Sequence, residues 1–150
     1  PELTAEAIDK DGWFHTGDKA RLEDRNIYIT GRLKNMIVLS GGKKVFPEEV
    51  EAVLEKSDKF AELCVFGIAR EGGAKDGTEE IALVIVPAEH VKAEYQGKEL
   101  EAIIKEEVKR LSKQLAHYKR PLNITITDMP LPRTATRKIQ RKKVKELVKI

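Results

Sequence analysis

Three separated loops of the sequence combine glycine with charged or hydroxyl-bearing side chains, a composition that suits an anionic ligand. The first loop is His15-Thr16-Gly17-Asp18. A carboxylate on a turn loosened by glycine can accept two hydrogen bonds from ribose hydroxyls, as the acidic residue of dinucleotide sites does. Asp18 is therefore a candidate nucleotide ligand, although taken alone this stretch is better explained as a turn with a solvated aspartate.

The other two loops place glycine and lysine where a phosphate could approach. Gly31-Arg32 is followed by Ser40-Gly41-Gly42, and adjacent glycines let a ligand come close to the backbone. Residues 132–141 place Lys138 on a loop ahead of a helix, from which a lysine can put positive charge on a developing phosphoryl charge. Taken alone, each of these loops is better explained as an ordinary surface connection.

Other common kinds of catalytic site are absent from the sequence. His15, His90 and His117 are scattered, so no metal-ligand spacing occurs. Cys64 lies in an apolar strand, where we expect a core residue. There is no Gly-x-Ser-x-Gly elbow of a hydrolase, and residues 41–44 lack the upstream glycine and the following Ser or Thr of a P-loop. We therefore predict no metal site, hydrolase triad or P-loop.

The elements that must position these loops follow from hydrophobic periodicity and turn residues. They are a hairpin, a strand, a helix, two strands, a long helix, a strand, a proline-containing loop and a basic helix. The predicted strands are residues 13–22, 27–30, 36–39, 62–69, 81–86 and 123–127; the predicted helices begin at Pro47, span residues 99–115, and begin near Lys138; a surface loop spans residues 70–79. This order predicts an α+β fold, with a small sheet of about three strands backed by helices and an N-terminal β-hairpin.

The composition is that of one folded domain. The chain has 150 residues, 41% of them hydrophobic, and its 28 basic and 25 acidic residues nearly cancel. One cysteine excludes an internal disulfide framework, and no apolar run approaches the roughly 20 residues that span a bilayer. We expect a cytoplasmic protein, and the start at Pro1 without an initiator methionine predicts a fragment of a longer one.

Positive charge is concentrated at the C-terminus. Residues 133–150 hold eight lysines and arginines against one glutamate, whereas the whole chain carries a net charge of only +3. A basic terminus on an acidic body favours a polyanionic partner, either a nucleic acid or the phosphates of a nucleotide or coenzyme. A solvated helix face explains the same pattern equally well.

Four motifs in this order resemble those of the AMP-forming adenylating enzymes, which include acyl-CoA synthetases, luciferases and the adenylation domains of peptide synthetases. The motifs are HTGD at residues 15–18, GRLKNMI at 31–37, SGGKKVFPEEVE at 40–51 and PRTATRKIQR at 132–141. The resemblance covers essentially the whole chain. Four ordered motifs are far more specific than any one of them.

The details are most similar to the bacterial long-chain fatty acid–CoA ligases, through residues 33–38 and 134–139. In this family a large N-terminal domain binds the acid and most of ATP, and a small mobile domain closes over it. The resemblance therefore implies that residues 1–32 are a leader and hairpin from the end of the large domain, and that residues 33–150 are the small C-terminal domain.

The resemblance also implies roles around the nucleotide. Asp18 would hold the ribose hydroxyls of ATP or AMP, and Arg32 would assist at the ribose or phosphate. Lys138 matches the catalytic lysine that bridges the acyl carboxylate and the α-phosphate. At the residue before it, many members have glycine and this sequence has Arg137. The departure bears on the backbone of the loop, because glycine adopts positive φ freely and arginine does not.

The remaining assignments concern movement of the small domain. Lys34 occupies the hinge position, and Gly41 and Gly42 match the loop that lines the tunnel for the pantetheine of CoA. The implied chemistry has two half-reactions: an acid and Mg-ATP form an acyl-adenylate and pyrophosphate, and CoA then displaces AMP. ATP, CoA and a fatty acid are the implied substrates, with the magnesium ligands outside this chain and peripheral membrane attachment through the fatty substrate.

A second hypothesis from another class is a stand-alone module whose basic C-terminus binds nucleic acid. Such modules stack bases on aromatic residues interleaved with basic ones, and only Tyr118 lies near the basic run. We therefore favour the ligase and expect no nucleic-acid partner.

Overall fold

The computed structural model describes residue 4, residues 7–69 and residues 78–148. Most of the loop predicted for residues 70–79 lies outside the described residues, as does most of the stretch before residue 7. The basic run predicted for the C-terminus is described as far as Val148.

The predicted N-terminal β-hairpin is confirmed. Strand β1 (Asp18–Glu23) pairs antiparallel with β2 (Asn26–Arg32). Both residues of the connecting turn, Asp24 and Arg25, have positive φ, as in the type I′ turns that match the twist of paired strands.

The end of β2 differs from the sequence-based prediction. Gly31 and Arg32 were expected to interrupt the strand, but both belong to β2. The ladder continues through a bulge at Thr30 of β2, so that Arg32 lies opposite Asp18. The pairing of the two strands therefore overrides the low strand preference of glycine.

A second, very small hairpin follows. Strand β3 (Ile37–Val38) pairs antiparallel with β4 (Lys44–Val45) across a 3-10 turn at Ser40–Gly42. The sequence predicted a longer strand at residues 36–39 and only a loop at 40–44. Strand β4 was missed because two residues are too few to show an alternating pattern.

Four helices are described, and three of them were predicted. They are α1 (Pro47–Leu54), α2 (Glu89–Glu94), α3 (Gly97–Ser112) and α4 (Arg141–Val148). Pro47 starts α1 with Glu48 and Glu49 in the first turn, where they face the positive end of the helix dipole. Helix α2 was not predicted. Helix α4 begins three residues later than expected, because the residues before it form a tight loop.

The main sheet has three strands in the order β5–β6–β7. Strands β5 (Phe60–Ala69) and β6 (Glu79–Pro87) are antiparallel, whereas β6 and β7 (Asn123–Ile126) are parallel. The long α3 lies between β6 and β7 in the chain, as a parallel connection requires. The α+β fold with a three-stranded sheet is confirmed.

Both faces of this sheet are covered, which explains the nearly continuous apolar runs of β5 and β6. One core cluster joins Leu63, Val65, Leu83 and Ile85 to residues of α1 and α3. The other joins the alternate residues of the strands to Val144 of α4 and to a residue of the loop before it; the cluster is Cys64, Phe66, Ile68, Ala82, Val84, Val86, Leu131 and Val144. Helix α4 and the loop that carries Lys138 are therefore anchored on the face opposite to α1 and α3.

Candidate functional site

The predicted nucleotide ligands Asp18 and Arg32 are brought together by the first hairpin. Cross-strand pairing sets them opposite each other, and Arg32 Nε lies 2.8 Å from Asp18 Oδ1. Among the described residues, no group donates to the other carboxylate oxygen of Asp18. This oxygen can accept hydrogen bonds from hydroxyls. The remaining nitrogens of the Arg32 guanidinium can donate to a phosphate.

Gly31, next to Arg32, has a packing role. A Cβ at this position would lie 2.6 Å from the Phe46 ring. Phe46 is buried, and the ammonium of Lys19 lies 4.3 Å from its ring centroid. The close backbone approach at Gly31 is therefore made by a side chain of the protein itself. The space at Gly31 is thus filled by the protein and is not open to a ligand.

Lys34 lies in an exposed 3-10 turn that directly follows the hairpin, at Leu33–Asn35. The turn is held by the Leu33 amide, which donates to the Gly17 carbonyl at 2.8 Å. Asn35 Nδ2 donates to Glu48 Oε1 at 2.9 Å and so attaches the end of the turn to α1. No residue of the turn is buried, an environment in which a backbone rotation disturbs little packing.

Gly41 and Gly42 form the exposed turn between β3 and β4. Their φ angles are +79° and +74°, and an added Cβ at either would meet no atom within 4 Å. The glycines are thus required by backbone conformation, and the space above them is open to a ligand. On the flank of this turn, the Lys43 ammonium lies 4.6 Å from the centroid of the Tyr118 ring.

Lys138 is exposed on a tight hairpin loop ahead of α4. Arg133 and Ile139 form an antiparallel bridge, the Thr134 amide donates to the Lys138 carbonyl at 2.8 Å, and the Arg137 amide donates to the Thr134 carbonyl at 2.9 Å. This is a turn followed by a single left-handed residue, a common short hairpin connection. Within the described part of the chain, the Lys138 ammonium forms no ion pair or hydrogen bond.

The left-handed residue of this loop is Arg137, with φ of +63°. It occupies the position where the sequence departs from the common glycine. The loop therefore takes a conformation suited to glycine with arginine in its place, at a cost of roughly 1–2 kcal/mol for a residue with a Cβ.

Both stems of the loop are tied to the body of the domain by arginines. On the first stem, Arg133 Nη2 lies 3.0 Å from Glu62 Oε1 at the start of β5. On the second, Arg141 donates to the Val65 carbonyl at 3.1 Å and forms ion pairs with Glu48 and Glu51 of α1. Burial raises the pKa of the Glu51 carboxyl, and the charge of Arg141 opposes that rise.

These supports also close the outer edge of β5. Glu51 accepts from the Val65 amide, Arg141 donates to the Val65 carbonyl, and Lys145 donates to the Gly67 carbonyl at 2.7 Å. Side chains thereby satisfy edge groups that would otherwise be free to pair with another strand.

The sequence reasoning did not identify Glu62, Arg133, Glu51 or Arg141 as supports of the site. Their partners lie 71 to 90 residues away along the chain. No local spacing reveals such a pair. The only signal was the excess of arginine and lysine near the C-terminus.

Cys64 is buried in the second core cluster, and burial raises the pKa of its thiol to about 12. A thiol with this pKa is not a nucleophile at neutral pH, so the interpretation of Cys64 as a core residue is confirmed. In the described parts of the chain, no cluster of three or more His, Cys, Asp or Glu side chains could hold a metal ion. The helices described here are all too short or too polar to cross a membrane.

The chain matches known proteins that act on carboxylic acids. It is 35% identical over 142 residues to the medium-chain fatty-acid–CoA ligase of Escherichia coli K12, covering 94% of this chain and 23% of that protein. It is also 35% identical over 147 residues to a long-chain-fatty-acid–CoA ligase of Mycobacterium tuberculosis, covering 97% of this chain and 26% of that protein. The chain thus spans about a quarter of the length of the curated relatives it matches.

A structural comparison and a family model agree with the similarity to these relatives. The structure superposes on the A domain of a carboxylic acid reductase from Segniliparus rugosus, solved with AMP and a carboxylic acid, with a TM-score of 0.83 and 25% identity over 99% of this chain and 24% of that one. A family model described as the AMP-binding enzyme C-terminal domain matches residues 34–149. The resemblance indicated by the four motifs is confirmed: the chain belongs to the family of C-terminal domains of AMP-binding enzymes.

Proposed function

We propose that this chain is the C-terminal part of an ATP-dependent, AMP-forming ligase that joins a long-chain fatty acid to CoA. The observation that carries the proposal is the Lys138 loop, a hairpin braced at both stems in a domain of this family. It presents to solvent a lysine ammonium that has no partner among the described residues. Such a group suits a transient contact with an anion that is bound elsewhere.

In the first half-reaction, a carboxylate oxygen of the acid attacks the α-phosphorus of Mg-ATP, and pyrophosphate leaves with the bonding electron pair. Lys138 would stabilise the negative charge shared by the carboxylate and the α-phosphate in the transition state. Asp18 would accept hydrogen bonds from the ribose hydroxyls through the oxygen that Arg32 leaves free. Arg32 would in turn fix the carboxylate and assist at the phosphate.

In the second half-reaction, the CoA thiolate attacks the acyl carbonyl and AMP leaves. We propose that rotation about Lys34 replaces the Lys138 loop by the Gly41-Gly42 turn at the reacting centre, where the turn would line the pantetheine path. The support for this proposal is the exposed turn around Lys34, together with the open space above both glycines. Domain rotation is an established way to order two steps at one site.

We further propose that residues 1–32 belong to a preceding large domain and residues 33–150 to the small one. The family match begins at residue 34, and one face of the first hairpin carries large apolar side chains that are about 70% exposed in this chain, namely Leu22, Ile27 and Ile29. A preceding domain of the length that the relatives have would cover this face. That domain would hold the acyl pocket and the magnesium ligands.

The choice of a fatty acid follows from the motif details and from two of the relatives, which are named for medium-chain and long-chain fatty acids. We propose a long-chain acid as the substrate, with the protein in the cytoplasm, where ATP and CoA are available. Contact with a membrane would occur only through the fatty substrate.

The basic C-terminus supports this proposal over nucleic-acid binding. Several of its cations are used inside the domain: Arg133 pairs with Glu62, Arg141 with Glu51, and Lys145 with a backbone carbonyl. In the described part of this C-terminus, the exposed cations that remain are Arg137 and Lys138 of the loop and Lys142 and Lys143 in the first turn of α4. This is too small a patch to follow a polynucleotide backbone.

Acid-dependent ATP–pyrophosphate exchange by the full-length protein tests the proposal. We expect exchange with long-chain acids and its loss, by about 100-fold or more, in Lys138→Ala, because one charge at the transition state is removed. The variant should still form thioester from supplied acyl-adenylate and CoA. Lys142→Ala, which removes an exposed lysine four residues away, is the matched control and should retain exchange.

Two results would contradict the proposal. Equal loss of both half-reactions in Lys138→Ala would contradict the proposal that Lys138 serves only adenylate formation and the Gly41-Gly42 turn serves thioester formation. A folded full-length protein without exchange on short, medium, long or aromatic acids would exclude adenylation and bring the nucleic-acid hypothesis forward.

A further inference from the structure

The Arg133 guanidinium joins three parts of the structure at the base of the Lys138 loop. Its Nη1 donates to the Arg137 carbonyl at 2.8 Å, and its Nη2 and Nε donate to Glu62 Oε1 at 3.0 and 3.3 Å. The other oxygen of Glu62 accepts from the Leu131 amide at 2.7 Å. We propose that Arg133 is a positioning residue that holds Lys138 in place for adenylate formation, an inference that rests on the function proposed above.

The carbonyl that Arg133 holds belongs to the peptide bond between Arg137 and Lys138. Because a peptide is planar, fixing its oxygen also fixes the direction in which the Lys138 amide points. The Lys138 amide donates to Thr134 Oγ1 at 3.1 Å. The peptide before Lys138 is thus held on both sides by side chains of the same loop.

The need for this support follows from Arg137. A left-handed conformation is unfavourable for a residue with a Cβ and persists when surrounding contacts determine it. The Arg137 carbonyl has Arg133 as its partner, and the Arg133 carbonyl accepts from Gln140 Nε2 at 2.8 Å. The hydrogen bond from Arg133 therefore stabilises, at residue 137, a left-handed conformation that glycine would adopt without such support.

Loss of the Arg133 side chain should release the loop and leave the domain folded. Glu62 keeps its bond from Leu131, Arg141 still ties the second stem, and Arg133 itself is exposed. The released Arg137 carbonyl would be solvated by water. Residue 137 could then leave its left-handed conformation, and the Lys138 ammonium would less often occupy the position needed for adenylate formation.

The two half-reactions of the full-length protein separate positioning from general damage. We expect Arg133→Ala to lower acid-dependent ATP–pyrophosphate exchange about 10- to 100-fold, as misplacement of a catalytic group does. Thioester formation from supplied acyl-adenylate should stay within about twofold of the unaltered protein, because it does not use Lys138. Arg133→Lys should show a similar loss of exchange. The ammonium of lysine lacks the planar guanidinium that reaches both Glu62 Oε1 and the Arg137 carbonyl oxygen.

Arg120→Ala is the matched control. Arg120 also donates from its guanidinium to a backbone carbonyl, that of Leu115, away from the loop. This variant should leave both half-reactions unchanged. A drop in exchange equal to that of Arg133→Ala would overturn the inference.

A second readout does not depend on ligase chemistry. A lysine-specific protease cleaves after Lys138 but not after arginine, so Arg133→Ala neither adds nor removes a site. We expect faster cleavage after Lys138 in Arg133→Ala, and an unchanged rate in Arg120→Ala. An unchanged cleavage rate, full exchange in Arg133→Ala or Arg133→Lys, or equal loss of both half-reactions would each overturn the inference.

The proposed function and this inference fail in different ways. Full exchange in Lys138→Ala contradicts the proposed function. Impaired exchange in Lys138→Ala beside unimpaired exchange in Arg133→Ala contradicts the positioning role alone.

Discussion

Arg137 shows how the backbone conformation of one residue can shape the Lys138 loop. It has a left-handed backbone, with φ of +63°, in a loop whose hydrogen bonds require that conformation. The cost of a Cβ there, roughly 1–2 kcal/mol, is offset in part because glycine would lose more backbone freedom on folding, roughly 0.5–1 kcal/mol. Arginine is thus a tolerated residue at this position, and a β-branched residue would not be.

We expect Arg137→Gly to stabilise the chain by less than about 1 kcal/mol and Arg137→Val to destabilise it by about 1 kcal/mol or more. Urea unfolding of the two variants beside the unaltered chain measures the difference. If valine were tolerated as well as glycine, the left-handed conformation of residue 137 would be contradicted.

At the scale of elements, a buried carboxylate connects α3 to the segment before β5. Glu107 is 5% exposed, accepts from Ser57 Oγ at 2.7 Å, and pairs with Arg110 and Lys59. The hydrogen bonds from Arg110, reinforced by that from Ser57, lower the pKa of this carboxyl to about 2, although burial acts in the opposite direction. A charge with this many donors favours the folded state as long as it stays ionised.

The sign of the pH dependence follows from the lowered pKa. In the unfolded chain a glutamate titrates near 4.3, so the stabilisation is complete above that pH and is lost as the pH falls toward about 2. We expect Glu107→Gln to lose about 2 kcal/mol of unfolding free energy at pH 7. The difference from the unaltered chain should shrink by more than half at pH 3.

Urea titrations at pH 7, 5 and 3 measure this effect. Glu106→Gln is the matched control, because Glu106 is the exposed neighbour on the same helix; it should change stability by less than about 0.5 kcal/mol. A pH-independent loss in Glu107→Gln would show that packing, and not ionisation, accounts for it.

At the scale of the whole molecule, the first hairpin has an uncovered apolar face. Ala20 lies opposite Ile29 and Leu22 opposite Ile27, so these four side chains share one side of the hairpin. Leu22, Ile27 and Ile29 are each exposed by about 70% in this chain. A contiguous apolar surface of this kind is typical of an interface, and we propose that the preceding domain proposed above covers it.

The prediction at this scale compares one substitution in two lengths of protein. Ile29→Thr keeps a β-branched side chain on β2 and removes apolar area. We expect it to change the stability of this 150-residue chain by less than about 0.5 kcal/mol and to lower that of the full-length protein by about 1–2 kcal/mol. Equal effects in thermal unfolding of the two proteins would show that the face stays uncovered.

Much of the fold could be predicted from local patterns in the sequence. The apolar stripe of α3, the long strands β5 and β6, the N-terminal hairpin and Pro47 at the start of α1 each depend on residues close together in the chain. Elements of two residues, such as β4, and the six-residue α2 were missed because such short segments contain too little periodicity.

The sequence by itself determined the family, the order of the longer elements and the residues that carry the proposed chemistry, because motif order and periodicity are local properties of a chain. Only the tertiary structure decided how those residues are supported: Arg32 facing Asp18, Phe46 filling the space at Gly31, and the loop of Lys138 held by Glu62 and Arg133. Contacts of this kind join residues up to 90 positions apart. They form only when the sheet and helices bring distant segments together, and so no local pattern specifies them.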